Sequence, residues 1–89
     1  MNKEEIKKRL VQEGYKRVFE WSDEPNYTYS EHEHSFETLL VITKGSIWFE
    51  IGGREYNLKE GDELLVSPQT KHKAKVGPEG CWYIVGEEK

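Results

Sequence analysis

The sequence predicts an all-β fold, a sandwich or barrel preceded by one helix, and three observations carry that expectation. Short runs rich in β-branched and aromatic residues recur from Tyr15 to Val85, separated by clusters of Gly, Pro, Asn, Asp and Ser. Several of these runs alternate strictly, as where Ile47, Phe49 and Ile51 interleave with Ser46, Trp48 and Glu50. Only the opening stretch, residues 2–13, carries a helical pattern.

In that helix Asn2 is placed to cap, with Glu5 three residues on, and Gly14 suits the stop. Ile6, Leu10 and Val11 form a short apolar stripe. Lys7-Lys8-Arg9 reads as a solvated face that favours the helix C-terminal half. With no second helix, a helix-turn-helix is excluded. Tyr15 to Trp21 reads as a strand, and Ser22 to Asn26 as a turn. Tyr27 to Phe36 reads as the next strand. Glu37 to Thr43 is nearly all apolar, hence buried on both faces or next to a bulge. Lys44-Gly45 then turns the chain into Ser46 to Ile51. Gly52-Gly53 is a two-residue hairpin signal leading into Arg54-Glu55-Tyr56. Lys59 to Asp62 turns into Glu63 to Val66, and Ser67 to Thr70 leads into Lys71 to Val76. Gly77 to Gly80 is a further turn before Cys81 to Val85 closes the fold. The expectation is one domain, 1–89, with the helix 2–13 packed on a barrel spanning 15–86.

Composition narrows the function. In 89 residues, 35% hydrophobic against 34% charged leaves a thin core, to which a bound metal or a partner subunit would add stability. A net charge of −4 argues against nucleic acid, which demands a basic face. One cysteine excludes an internal disulfide framework and suits a reducing compartment. The charged N-terminus does not read as a signal peptide and no window reaches membrane-spanning length, so the expected location is cytoplasmic, without membrane association. Cys81, within Cys-Trp-Tyr-Ile-Val, reads as a small buried hydrophobe. Asp62 reads as a turn residue bonding nearby backbone amides. Neither a nucleophile elbow nor a glycine-rich phosphate loop is present.

The chemistry concentrates in the three histidines. In an extended Glu31-His32-Glu33-His34, both imidazoles share one face and both carboxylates the other. In Lys71-His72-Lys73-Ala74-Lys75-Val76 the lysines take one face and His72 the other. The parity turns all three imidazoles inward, and neutral imidazole is the commonest ligand of divalent transition metals. His32, His34 and His72 are therefore the expected ligands of a divalent transition metal such as Zn, Fe, Mn, Ni or Cu.

His32 and His34 followed by Gly45, and Gly61-Asp62 followed by His72, resemble the two motifs of the cupin superfamily. The resemblance runs from about Pro25 to Val85. It implies a cupin-type jelly-roll barrel of about eight to ten short antiparallel strands. It also implies a small-molecule ligand or substrate in the barrel, a metal on the three histidines, and a homodimer, since small cupins commonly pair. Thr38 stands in the register of the family's glutamate, and Glu37 is one residue early. Strand parity turns Phe36 and Thr38 inward and Glu37 outward, so Glu37 is an additional ligand only if a β-bulge re-aims it. Phe36, Thr38 and Ala74 are the expected pocket lining, with Tyr27 or Tyr29 at the mouth. The family topology sets the two histidine strands side by side, so Glu31 and Glu33 are expected to pair with Lys71, Lys73 and Lys75 outside the barrel. Two functional classes stay open: a metal-dependent enzyme on a small polar substrate, and a non-catalytic binding or sensing module.

Overall fold

A computed structural model describes residues 1–89. The elements are α1 (Lys3–Gln12), β1 (Arg17–Asp23), β2 (Thr28–His32), β3 (Thr38–Ile51), β4 (Arg54–Lys59), β5 (Glu63–Val66) and β6 (His72–Glu87). The six strands are fewer than the about eight to ten implied by the cupin resemblance. The reason is that two expected turns are bends within continuous strands. Lys44-Gly45 lies inside β3, and Gly77 to Gly80 lies inside β6.

These two long strands, of 14 and 16 residues, pair antiparallel along their length and form the spine. Their register slips between Ile42 and Lys44 and again between Gly45 and Ile47. The slips bend the spine and fold the single six-stranded sheet into two halves. In one, β5 and β1 flank the paired segments Thr38–Val41 and Ile84–Glu87. In the other, β4 and β2 flank the segments around Phe49 and Ala74. The hairpin between β3 and β4 turns on Gly52 and Gly53, with φ of 56° and 82°. Positive φ at both centres is what a two-residue type I′ hairpin requires.

The two halves of the sheet enclose a core of Ile42, Ile47, Phe49, Leu58, Leu64, Val66, Ala74, Val76, Cys81, Tyr83 and Val85. A second cluster, Leu10, Tyr15, Leu39, Val41 and Ile84, with Ile6 and Val18 against it, lies where α1 covers the outer face of β1, β3 and β6. That explains why Leu39-Leu40-Val41-Ile42 does not alternate. Leu39 and Val41 face the helix, while Leu40 and Ile42 face the barrel interior. The stretch is buried on both faces and runs into a bulge.

α1 begins at Asn2, whose side chain accepts from the Glu5 amide at 3.1 Å. It ends in a Schellman arrangement, with the Gly14 amide donating to Val11 and the Tyr15 amide to Leu10. Val11 departs from the expected stripe and is 60% exposed, because Ile6 and Leu10 alone point at the sheet. Leu10 is fully buried. Leu10→Ala should lower the unfolding free energy by about 2–5 kcal/mol, read by urea denaturation, because the cavity lies between helix and sheet and neither relaxes fully into it.

The expected ion pairs between Glu31 or Glu33 and Lys71, Lys73 or Lys75 do not form. β2 ends at His32, so Glu33 has no strand partner, and the β2–β6 register is irregular between Tyr29 and His32. Lys73 instead lies opposite Glu50 of β3, with 3.7 Å between ammonium and carboxylate. Glu50 and Lys73 are cross-strand neighbours in a regular ladder, which the β2 carboxylates are not.

Candidate functional site

Strand register builds the histidine cluster. His32, the last residue of β2, stands directly opposite His72, the first residue of β6. His34 lies two residues past β2, in the connection to β3 rather than in a strand. Its carbonyl accepts from the Gln69 amide at 2.6 Å, which ties this connection to the turn before His72. The ring centroids of His32 and His72 are 4.2 Å apart, those of His32 and His34 5.0 Å, and those of His34 and His72 5.4 Å. One ligand nitrogen from each ring lies within 4.8 Å of the other two.

Two of the rings are oriented by the backbone. His32 Nδ1 lies 2.7 Å from the Ser30 carbonyl, and His72 Nδ1 lies 2.8 Å from the Thr70 carbonyl. A carbonyl only accepts, so in each ring Nδ1 carries the proton and Nε2 keeps a free lone pair. His34 stacks on Phe36, with centroids 5.3 Å apart and planes at 15°. His72 is buried, and desolvation together with its two imidazole neighbours holds it below the ordinary imidazole range. It therefore stays neutral in neutral solution. Three imidazoles without a carboxylate suit a borderline transition metal, and do not suit calcium or magnesium, which take oxygen ligands.

The cluster opens into a cavity of about 420 Å³ between the two halves of the sheet. Phe36 and Thr38 line it, and Ala74 lies in the packed core. Tyr29 lines the cavity and Tyr27 does not. Thr38 Oγ1 is buried without a hydrogen-bond partner. Glu37 precedes β3, and its carboxylate accepts from Tyr15 Oη at 2.7 Å, on the helix side of the sheet. Cys81 is fully buried, and burial pushes its thiol up to about 11, which leaves it unreactive.

The cavity also holds polar residues that sequence reasoning passed over. Asp23 accepts from Tyr29 Oη at 2.8 Å, Tyr83 Oη at 2.7 Å and Trp21 Nε1 at 3.2 Å. Asp23 sits in a turn-forming cluster by composition, yet β1 runs two residues past Trp21 to include it. Arg17, Phe19, Trp21 and Asp23 all line the cavity, so a longer alternation was the available signal. Burial first, then Asp23, raises both phenols, Tyr29 to about 12 and Tyr83 further. The folded chain thus keeps phenol protons that the unfolded chain releases above pH ~10. The contribution of these phenols should be constant through neutral pH and fall as pH rises beyond ~10, with loss of structure and phenolate absorbance appearing together in an alkaline titration.

Comparison with known proteins places the fold. The model of the AraC-like ligand binding domain matches residues 18–85. The chain is similar in structure to KdgF from a Halomonas species (TM-score 0.69, 16% identity, 81% of this chain and 67% of that one). An RmlC-like cupin from Shewanella frigidimarina gives 0.70 at 19% identity, over 81% and 65% of the chains. The DMSP lyase DddQ from Ruegeria pomeroyi gives 0.73 at 18% identity, over 81% and 37%. The chain thus spans about two thirds of the length of the first two and little over a third of the lyase. No curated protein sequence matches the chain.

Proposed function

The chain belongs to the AraC-like ligand-binding domain family, with the cupin fold, and from that premise we propose that it binds a small polar molecule at a divalent transition metal held by His32, His34 and His72. The observation that carries the reading is the preset tautomer of His32 and His72, whose Nδ1 atoms are engaged by backbone carbonyls. Carbonyl partners of this kind orient metal-binding imidazoles and raise their basicity. His34 Nε2 or Nδ1 completes the set within the 4.8 Å grouping. Glu37, engaged by Tyr15, stays out of it. A metal held by these three imidazoles would supply Lewis-acid chemistry toward a bound oxygen group. Phe36, Thr38 and the aromatic walls shape the space in which that group is held.

A non-catalytic binding or sensing role is the second reading, and one observation favours it. Tyr29 and Tyr83 are locked as donors to Asp23, so neither phenol is available as a base near neutral pH. Elemental analysis of protein purified without a histidine tag tests the metal. Absence of metal, with no uptake of zinc, iron, manganese, nickel or copper, would overturn the reading. Turnover assays on a metal-defined sample separate the two classes.

A cytoplasmic homodimer is part of the same proposal. No helix is long and apolar enough to cross a membrane. Trp21 and Leu65 expose more than half of their surface, apolar area that a second subunit would cover. Sedimentation at micromolar concentration should give twice the 10.5 kDa chain mass, and a monomer mass would refute the dimer.

A further inference from the structure

The cavity has a second polar pole, and metal binding does not explain it. Asp23 of β1, Tyr29 of β2 and Tyr83 of β6 come together from three strands, and all three line the cavity. Tyr29 Oη reaches both Asp23 oxygens at 2.8 Å, and Tyr83 Oη reaches Oδ2 at 2.7 Å. A phenol has one proton to give, and each gives it to Asp23. What these groups present to a ligand is therefore oxygen lone pairs. The pole carries the negative charge of one carboxylate. Of the cavity's other charged side chains, Arg17 pairs with Glu87 at 3.2 Å. An anion placed against Asp23 would meet a like charge. A hydroxyl or ammonium would find two or three acceptors. The Tyr29 ring lies 6.0 Å from the His32 ring, which sets the two poles beside each other in one cavity.

We propose that Asp23, Tyr29 and Tyr83 form a second recognition subsite that takes a hydrogen-bond donor, a hydroxyl or an ammonium, and rejects a carboxylate or phosphate. The ligand is then a short bifunctional molecule with an oxygen group toward the histidines and a donor at its other end. The first half of that description rests on the proposed metal site. The donor preference rests on the Asp23 cluster alone.

The test is an NMR titration that follows the Trp21 indole N–H, which donates to Asp23 and so reports on this pole. The probes for zinc-loaded protein are β-alanine, β-hydroxypropanoate and malonate, equal in length and different only at one end. β-Alanine and β-hydroxypropanoate should bind at least about tenfold more tightly than malonate, since a hydrogen bond to a charged acceptor is gained in one case and a like charge is met in the other. In zinc-free protein, ethanolamine should shift the resonance where malonate does not. Asp23→Asn should erase the preference, because the amide offers a donor as well as an acceptor. Should that variant not fold, Tyr83→Phe, which keeps the shape and removes one acceptor, should shrink the preference several-fold. Malonate binding as tightly as the others, no binding of any probe, or a preference unchanged in the folded variants would overturn the proposal. Zinc uptake measured on the same samples keeps the two readings apart. Zinc bound with malonate preferred removes the subsite and spares the metal site. No zinc uptake with ethanolamine still preferred does the reverse.

Discussion

Replacing His72 with alanine should lower the affinity for zinc by more than about a hundredfold, because loss of a direct ligand exceeds the 10–100-fold typical of its hydrogen-bonded partners. Metal titration followed by calorimetry reads this directly, with circular dichroism confirming that the variant is folded. The effect should also appear in stability. Free metal at a hundred times its dissociation constant stabilises a protein by about 2.7 kcal/mol, or about 10–20 °C in Tm for a domain of this size. Wild type should show that shift on adding zinc, and His72→Ala should not. Glu37→Gln, by contrast, should leave affinity within a few-fold, since its carboxylate is engaged by Tyr15 on the helix side of the sheet. The pH dependence has a definite sign. Ligation needs neutral imidazole, so uptake should be complete above the ordinary histidine pKa of about 6.5 and fall as pH falls through it. Metal-free protein should share the trend. Burial and the neighbouring imidazoles hold His72 below its unfolded value, so the unfolded chain binds more protons and stability declines on acidification. A zinc affinity unchanged in His72→Ala would remove the metal site from the account.

Gly45→Ala should destabilise the fold by about 3 kcal/mol or more, the largest effect expected of a single added methyl group in this chain. Gly45 lies at the bend of the β3–β6 spine with φ of 79°, where a side chain is strained whatever the space. Space is lacking as well. An added Cβ would sit 2.1 Å from the Gly80 carbonyl oxygen and 3.1 Å from the Cys81 Cα. These neighbours are backbone atoms of a paired strand and do not swing aside. Gly52→Ala serves as the control: its φ is also positive, but its Cβ would meet nothing within 4 Å, so its cost should be confined to backbone strain of about 1 kcal/mol. Urea denaturation of both variants separates the clash from the strain. Equal costs would mean that the bend can shift to accommodate a side chain.

What the sequence determined by itself is local. The capped helix up to Gly14, the Gly52-Gly53 hairpin and the inward parity of His72, Ala74 and Val76 follow from nearest neighbours along the chain, and each stands where the residues put it. The grouping of His32, His34 and His72 was legible from two family motifs and from parity at His32 and His72, whereas His34 joins it from the connection after β2. What required tertiary structure is whatever depends on register between distant strands. Lys44-Gly45 and Gly77 to Gly80 have turn composition, yet long-range pairing carries both strands through them as bends, merging four expected strands into two. Lys73 met Glu50 instead of Glu31 or Glu33 because the ladder opposite it was β3. Glu37 found Tyr15 only once α1 was docked on the outer face. Asp23 looked like a turn residue until β1 paired with β6 as far as Cys81, which set its carboxylate between two phenols from other strands. A sequence encodes which face a side chain takes within its own strand. Which residue lies opposite is decided by register and bulges, and these are set by the packing of the whole barrel.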